Sequence, residues 1–332
     1  MNTQSVPRPF TRLILAVLVF SLLLGLFGVG IHQVTQKNKL GIDFYIYWLA
    51  GQAAFIDQTN PYSDLVAQQA QMGTLKRLAR PDEDQIGFAY PLYGLFAILP
   101  VNWLSFEWAQ SFWMAFNILA MLLALLAIFG STSRWKPFLF LLPYPIFFGL
   151  LLGNFVVPIS IIVLLFFGLL VQQRQRSQSL QIFLGLLLAW ATAKPQFMWL
   201  FLAFLLLYAL KERLWPLLIS FTAGVLLLLA ASFWLRPEWV GEWMERALKY
   251  TQYMQAWPTL LFFVRTLVPH SLAVQICAVV AALAAPLTVV LFHRWWQGQL
   301  DALLLLAWAG WIIFLLHPRD VSYEQLSFLM PL

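Results

Sequence analysis

Asp43 is the residue in this sequence whose type and setting best suit it for chemistry. It follows a long apolar block and precedes residues 44–56, a segment rich in tyrosine and tryptophan, whose rings favour the headgroup level of a membrane. A carboxylate at that level can act as a general base on a hydroxyl held at the membrane surface. Aspartate is also a favoured N-cap residue, so position alone favours another interpretation, in which Asp43 caps a helix starting at Phe44.

Lys194 is the second candidate, because it is the only charged residue between Ile182 and Leu210. A lysine at membrane depth costs roughly 2.5 to 3.5 kcal/mol on insertion scales, and such residues are functional candidates by default. Its natural partner is a phosphate or the Asp43 carboxylate. The alternative is that its long side chain reaches the interface beside a helix break at Pro195.

Further polar residues lie where apolar blocks end. Arg265 and the group His317, Arg319 and Asp320 occupy such ends, and an arginine can pair with a phosphate through two hydrogen bonds. A solvated loop end has the same composition, so both interpretations stay open.

Two short motifs favour local structure rather than chemistry. Gly153-Asn154 is typical of a tight turn, because both residues tolerate a positive φ. Tyr90 belongs to Phe88-Ala89-Tyr90-Pro91-Leu92, which is typical of a helix start with proline near its beginning.

The sequence lacks the common motifs of soluble enzymes. It has no Gly-rich phosphate loop, no His-x-x-x-His pair and no Gly-x-Ser-x-Gly elbow. Its single cysteine, Cys277, cannot build a disulfide framework or a cysteine-based metal site. Chemistry must therefore come from isolated polar residues.

The composition is that of a membrane protein. Of 332 residues 61% are hydrophobic and 10% are charged, whereas about a quarter of the residues in an ordinary soluble domain are charged. The mean hydropathy is +0.77. The net charge of +6 lies in short clusters between apolar blocks, which favours a role in topology over nucleic-acid binding.

The apolar blocks predict an all-α, polytopic transmembrane bundle in a single domain, residues 1–332. The blocks are 13–31, 88–103, 106–129, 138–152, 155–171, 182–193, 196–210, 217–235, 271–292 and 300–316. Several are shorter than the roughly 20 residues of a full span, which indicates tilted, broken or re-entrant helices. The first block lacks a cleavage site and is expected to be a retained span, and the apolar run from Leu326 to Leu332 indicates a C-terminal fragment.

Basic clusters predict which segments face outward. Arg134/Lys136, Arg174/Arg176, Lys211/Arg213 and His293/Arg294 are expected on the cytosolic side. The outer face would then carry a first loop (33–87), the tips of two hairpins at Gly153-Asn154 and Lys194-Pro195, a second loop (236–270) and the segment after residue 316. Full spans at both 88–103 and 106–129 would place the Arg134/Lys136 cluster on the outer face. Residues 88–103 must therefore be re-entrant or only half-spanning.

The two outer loops are expected to carry interfacial helices. One covers 44–56, and the other lies in the second loop, where Glu242 and Arg246 have the i,i+4 spacing of a helical ion pair.

Taken together, the motifs resemble glycosyltransferase family 87, polyprenyl-phosphate-sugar-dependent transferases with a GT-C membrane fold that include mycobacterial mannosyltransferases. The matching residues cover about 40–332 and are, in order, Asp43-Phe44 with Tyr45 to Gly51, Asn60-Pro61-Tyr62, Phe88 to Leu92 with Leu99-Pro100, Gly153-Asn154, Lys194-Pro195, and His317-Pro318 with Tyr323.

The resemblance implies a mannose-like sugar moved from polyprenyl phosphate to a lipid or glycan acceptor, with inversion, on the outer face of the plasma membrane. Asp43 would be the base, and Lys194 would hold the leaving phosphate, with Arg265 or Arg319 in support. His317 would orient acceptor or phosphate, and the remaining substrate-binding positions would be Asn154 and Tyr90. The resemblance implies no metal and no cofactor.

Two other classes remain open from the sequence. A flippase of lipid-linked sugars would carry charges near the bilayer midplane and related chain halves, whereas the polar residues here collect at one face and no repeat is visible. A non-catalytic membrane scaffold would need no groove leading to Asp43.

Overall fold

A computed structural model describes residues 9–129, 135–139, 141–253 and 259–316, which form helices and no strand. The α-helices are α1 (Pro9–Thr35), α2 (Ile42–Gly51), α3 (Asp64–Thr74), α4 (Leu99–Asn102), α5 (Phe106–Phe129), α6 (Lys136–Leu139), α7 (Tyr144–Leu152), α8 (Val156–Leu165), α9 (Gln178–Ala191), α10 (Pro195–Lys211), α11 (Trp215–Leu235), α12 (Trp239–Tyr253), α13 (Thr259–Arg265), α14 (His270–Trp296) and α15 (Ala302–Leu316). A 3-10 helix spans Leu92–Ile98, and π-helices span Gln52–Ile56 and Phe166–Gln172.

Four helices are long and apolar enough to cross a membrane: α5, α11, α14 and the Ile14–Thr35 part of α1. On α1 the outward face is apolar, since Leu15, Leu18, Leu22 and Leu26 are each at least 60% exposed. These residues recur at helical spacing, as expected for a stripe that faces lipid. The predicted all-α polytopic bundle is confirmed.

The segment predicted to span only partly is short. Its 3-10 helix Leu92–Ile98 and α4 together rise by about 20 Å, from the usual rises per residue, against about 30 Å for a hydrocarbon core. The side chains of Leu92, Leu95 and Ile98 are fully buried. The segment is therefore packed inside protein, where irregular backbone is tolerated at membrane depth.

Small residues let α9 and α11 approach closely. A Cβ added at Gly185 would lie 2.1 Å from Ser220 Oγ, and one added at Gly224 would lie 2.8 Å from Ala189 Cβ. Each helix thus presents two small residues four positions apart, the small-xxx-small pattern of membrane helix interfaces. This packing fixes the base of the hairpin that carries Lys194.

The aromatic segment after Asp43 is a helix, as predicted, and it packs several of its rings into the core. The side chain of Phe44 is 0% exposed and that of Tyr47 is 2% exposed. Phe44 stacks on Trp113 of α5 with ring centroids 5.5 Å apart, and Tyr47 stacks on Phe155 at 4.0 Å. Packing against other aromatic rings therefore buries this face of the helix within the protein, and its place at the membrane interface stays a prediction.

Candidate active site

Asp43 lies in the first turn of α2 and does not cap it. The helix begins at Ile42, one residue earlier, and the N-cap position is occupied by Gly41 without a side-chain cap hydrogen bond. The carboxylate instead accepts a hydrogen bond at Oδ2 from Asn154 Nδ2, at 2.8 Å. The capping interpretation is therefore wrong, and the side chain, which is partly exposed, points to the tip of another hairpin.

That tip is a Schellman turn that ends α7. Gly153 adopts a left-handed conformation with φ of 68°. Its N–H donates to the Leu150 carbonyl and the Asn154 N–H donates to the Gly149 carbonyl, both at 3.2 Å, which is the bonding pattern of this motif. The predicted turn is confirmed.

Gly153 is also required by close packing. A Cβ at this position would lie 2.7 Å from Phe44 Cβ and 3.0 Å from Trp113 Cδ1. Trp113 Nε1 donates to the Gly153 carbonyl at 2.8 Å. The absent side chain therefore lets the hairpin tip lie directly against α2, which brings Asn154 to Asp43.

Asn154 uses both ends of its buried amide. Its Oδ1 accepts from the Val156 N–H at 2.9 Å and from Lys194 Nζ at 3.2 Å, while its Nδ2 donates to Asp43. Lysine offers only donors and an ionised carboxylate only acceptors, so these partners determine which amide atom is oxygen. Asn154 is 1% exposed, and its amide is already hydrogen-bonded within the protein.

Lys194 lies in the break between α9 and α10. It occupies the N-cap position of α10, with φ of −120° and ψ of 72°, directly before Pro195; a residue before proline is disfavoured in the helical region. Its side chain is 1% exposed and ends on Asn154. The snorkelling interpretation is therefore wrong, and Lys194 is connected through one amide to the carboxylate predicted as a possible partner.

Aromatic rings pack around the Lys194 end of this group. The Tyr90 ring centroid lies 6.0 Å from Lys194 Nζ, and the same ring contacts those of Tyr47 and Phe155 at 5.6 Å and 6.0 Å. Such surroundings exclude water and strengthen electrostatic interactions. Tyr90 thus lies beside Lys194, and its role in substrate binding stays a prediction.

The remaining predicted site residues are placed differently. Arg265 is exposed at the end of α13, which packs on α14 and α15, and neither helix carries Asp43, Asn154 or Lys194. His317 and Arg319 lie outside the described residues.

Sequence reasoning missed the contacts between α12 and the Asn60-Pro61-Tyr62 motif. The Arg246 guanidinium is 4% exposed; its Nε donates to the Tyr62 carbonyl and its Nη2 to Asp64 Oδ1, both at 2.9 Å. Glu242 accepts from Asn60 Nδ2 at 2.9 Å. The only sequence signal was the turn motif itself, 182 positions from its partners on α12.

The predicted ion pair between Glu242 and Arg246 is wrong. Glu242 pairs with Arg236 and Arg246 pairs with Asp64. Helical spacing makes an i,i+4 pair possible, but α12 turns Arg246 inward, where the Tyr62 carbonyl would otherwise lack a partner.

Tyr62 connects α12 to the site. Its hydroxyl donates to the Tyr90 carbonyl at 2.9 Å. Burial, together with the negative charge of Glu242, raises the pKa of the Tyr62 hydroxyl far above its usual range. The hydroxyl therefore stays protonated, and it remains a donor to Tyr90 at every physiological pH.

Comparison with known proteins and protein families identifies the family of this chain. No curated protein and no solved structure matches the chain. The sequence profile described as glycosyltransferase family 87 matches residues 88–318, more than half of the chain, and this region includes Tyr90, Asn154 and Lys194 but not Asp43. The chain therefore belongs to glycosyltransferase family 87.

Proposed function

We propose that this membrane glycosyltransferase moves a sugar from a polyprenyl-phosphate donor to a hydroxyl of a lipid or glycan acceptor, with Asp43 as general base. Membership in the family supports glycosyl transfer, and four apolar helices support a membrane setting. The donor, the mannose-like sugar, inversion, and an active site on the outer face of the plasma membrane belong to the proposal.

The hydrogen bonds that join Asp43, Asn154 and Lys194 carry the proposal. Transfer from a sugar phosphate needs one group that takes a proton from the acceptor and one positive charge that stabilises the leaving phosphate. The structure brings a carboxylate and an ammonium group together around one amide. Asp43 is the more exposed of the two, which suits the group that must meet the acceptor.

In the proposed step, the acceptor oxygen attacks the anomeric carbon while its proton passes to Asp43. The bond from that carbon to the phosphate oxygen breaks, and its electron pair leaves with the polyprenyl phosphate. Attack from the side opposite the leaving group inverts the anomeric configuration.

Lys194 acts as a buried positive charge near the leaving phosphate. Two unit charges about 6 Å apart attract by about 3 kcal/mol at an effective dielectric constant of about 20. Because the Lys194 side chain is enclosed, this attraction does not depend on direct contact with the phosphate.

The test uses membranes that contain the chain, labelled polyprenyl-phosphate hexoses and pentoses, and transfer of label to acceptor as the readout. Asp43→Asn keeps the shape and a hydrogen-bonding group but removes the base, so transfer should fall by about 10²-fold or more. Asp57→Asn, at an exposed aspartate just after the Gln52–Ile56 helix, is the matched control and should keep full activity. Full activity in Asp43→Asn would exclude Asp43 as the base.

A further inference from the structure

Two cavities meet along α12. One of about 440 Å³ lies between α3, residues 78–85 and α12, and one of about 160 Å³ lies between residues 60–64 and α12. Asp64, Arg246 and Lys249 line both. We call this continuous space the α12 groove.

The lining of the α12 groove is amide-rich. The larger cavity contains four glutamines, Gln68, Gln71, Gln85 and Gln252, and no aromatic side chain. An amide offers both donors and acceptors, as a sugar hydroxyl does. The lining therefore matches a polyhydroxyl ligand better than an acyl chain or an apolar peptide.

The cations in the groove are already paired. Arg246 contacts Asp64 and Lys249 contacts Glu245, each at 2.9 Å. A phosphate group would compete with these carboxylates for the two cations. A neutral ligand meets no such competition.

Part of the groove wall is fixed before any ligand binds. Gln71 is 4% exposed; it donates to the Gln85 carbonyl and accepts from the Ala79 N–H, both at 2.9 Å. By contrast, the exposed amides of Gln68 and Gln252 make no hydrogen bond with the described residues. A fixed wall with free amides is suited to binding, because little ordering is lost when a ligand arrives.

A chain of contacts through Tyr62 and Tyr90 links the groove to the candidate active site. Arg246 binds the Tyr62 carbonyl, the Tyr62 hydroxyl binds the Tyr90 carbonyl, and the Tyr90 ring lies 6.0 Å from Lys194 Nζ. Tyr62, which lines the groove, and Tyr90 thus connect it to Lys194.

We infer that the α12 groove binds the acceptor as a neutral oligosaccharide and holds sugars adjacent to the one whose hydroxyl reacts at Asp43. This inference rests on the proposed function. The larger cavity, at about 440 Å³, falls within the roughly 300 to 1,000 Å³ of small-molecule sites.

Binding is tested without donor, so that it does not depend on turnover. The probes are neutral tri- and tetrasaccharides of common hexoses and pentoses, applied to the full chain in lipid nanodiscs and detected by saturation-transfer NMR. The double variant Gln68→Ala, Gln252→Ala should weaken the best probe about tenfold, as expected for the loss of two neutral hydrogen bonds. Gln69→Ala, at the neighbouring exposed glutamine of α3 that does not line the groove, should bind as the wild type does.

Three results would overturn the inference: no probe binds the wild type, the double variant binds unchanged, or inorganic phosphate displaces the bound saccharide. The proposed function is tested separately, by transfer. If saccharides bind in the groove but no sugar moves from polyprenyl phosphate, saccharide binding by the groove is supported and the proposed function is contradicted. If transfer occurs but does not depend on Gln68 and Gln252, only the inference that the groove binds the acceptor is contradicted.

Discussion

Lys194 Nζ donates a hydrogen bond to Asn154 Oδ1 although the two residues are 40 positions apart and belong to different hairpins. The same amide donates to Asp43 from its other end. The two charged groups thus share one neutral hydrogen-bonding partner. This double contact distinguishes Asn154 from an ordinary turn residue.

Replacement of Asn154 by alanine should lower kcat at least tenfold and leave the donor KM much less affected. The substitution removes the amide that orients Asp43 and Lys194, and it leaves buried polar groups without partners, at a cost of about 1 to 3 kcal/mol in unfolding free energy. Steady-state kinetics and thermal unfolding measure the two effects. Asn117→Ala is the matched control, because Asn117 is another 1% exposed amide, bonded only to the Trp113 carbonyl among the described residues; an equal fall in kcat there would contradict the assignment.

Lys194→Gln should lower the transfer rate by roughly 10 to 10³-fold, since glutamine can still donate to Asn154 but carries no charge for the leaving phosphate. The comparison variant is Lys211→Gln, which removes a charge from the opposite end of the same helix and should leave the rate unchanged. Single-turnover measurements with bound donor separate the chemical step from donor binding. A normal single-turnover rate in Lys194→Gln would remove the charge from the mechanism.

Gly153→Ala should destabilise the protein more than Gly298→Ala does. Both glycines have positive φ, 68° and 78°, so both substitutions share a conformational cost of about 1 to 2 kcal/mol. Only at Gly153 would the new Cβ meet another residue, Phe44 Cβ at 2.7 Å, whereas nothing lies within 4 Å at Gly298. Thermal unfolding should separate the pair, and transfer activity should fall only for Gly153→Ala; equal melting temperatures would show that α2 yields to the added methyl group.

Gly185→Val should destabilise the α9–α11 contact by about 1 to 3 kcal/mol, the usual cost of overpacking, because the added Cβ would lie 2.1 Å from Ser220 Oγ. Gly25→Val on α1 is the control for β-branching in a helix, since nothing lies within 4 Å of that position. Unfolding in detergent compares the two. No difference between them would mean that α9 and α11 are free to separate.

Local composition was enough to predict the helical bundle and a short segment between residues 88 and 103. The Leu92–Asn102 segment is too short to cross a membrane. The cytosolic side predicted for the basic clusters had already excluded a full span at this position. Both features depend on neighbouring residues, which a sequence displays directly.

Contacts between distant residues were less accessible. The bond from Asn154 to Asp43 joins residues 111 positions apart, and that from Arg246 to Asp64 joins residues 182 apart. Spacing along one helix suggested a Glu242–Arg246 pair, but partners from another part of the chain were better placed. Aromatic content likewise did not show that Phe44 stacks on Trp113 in the core.

The shared amide has a consequence for how the donor reaches the site. With Asp43 ionised and Lys194 protonated, the two opposite charges joined through Asn154 largely cancel at distances well beyond their separation, and salt screens the remainder within a Debye length, about 8 Å at physiological salt. The pair itself then adds no long-range field that steers an anionic donor to the site. Its supply depends on two-dimensional diffusion within the leaflet, so capture should be insensitive to ionic strength and should vary with the surface density of the donor lipid.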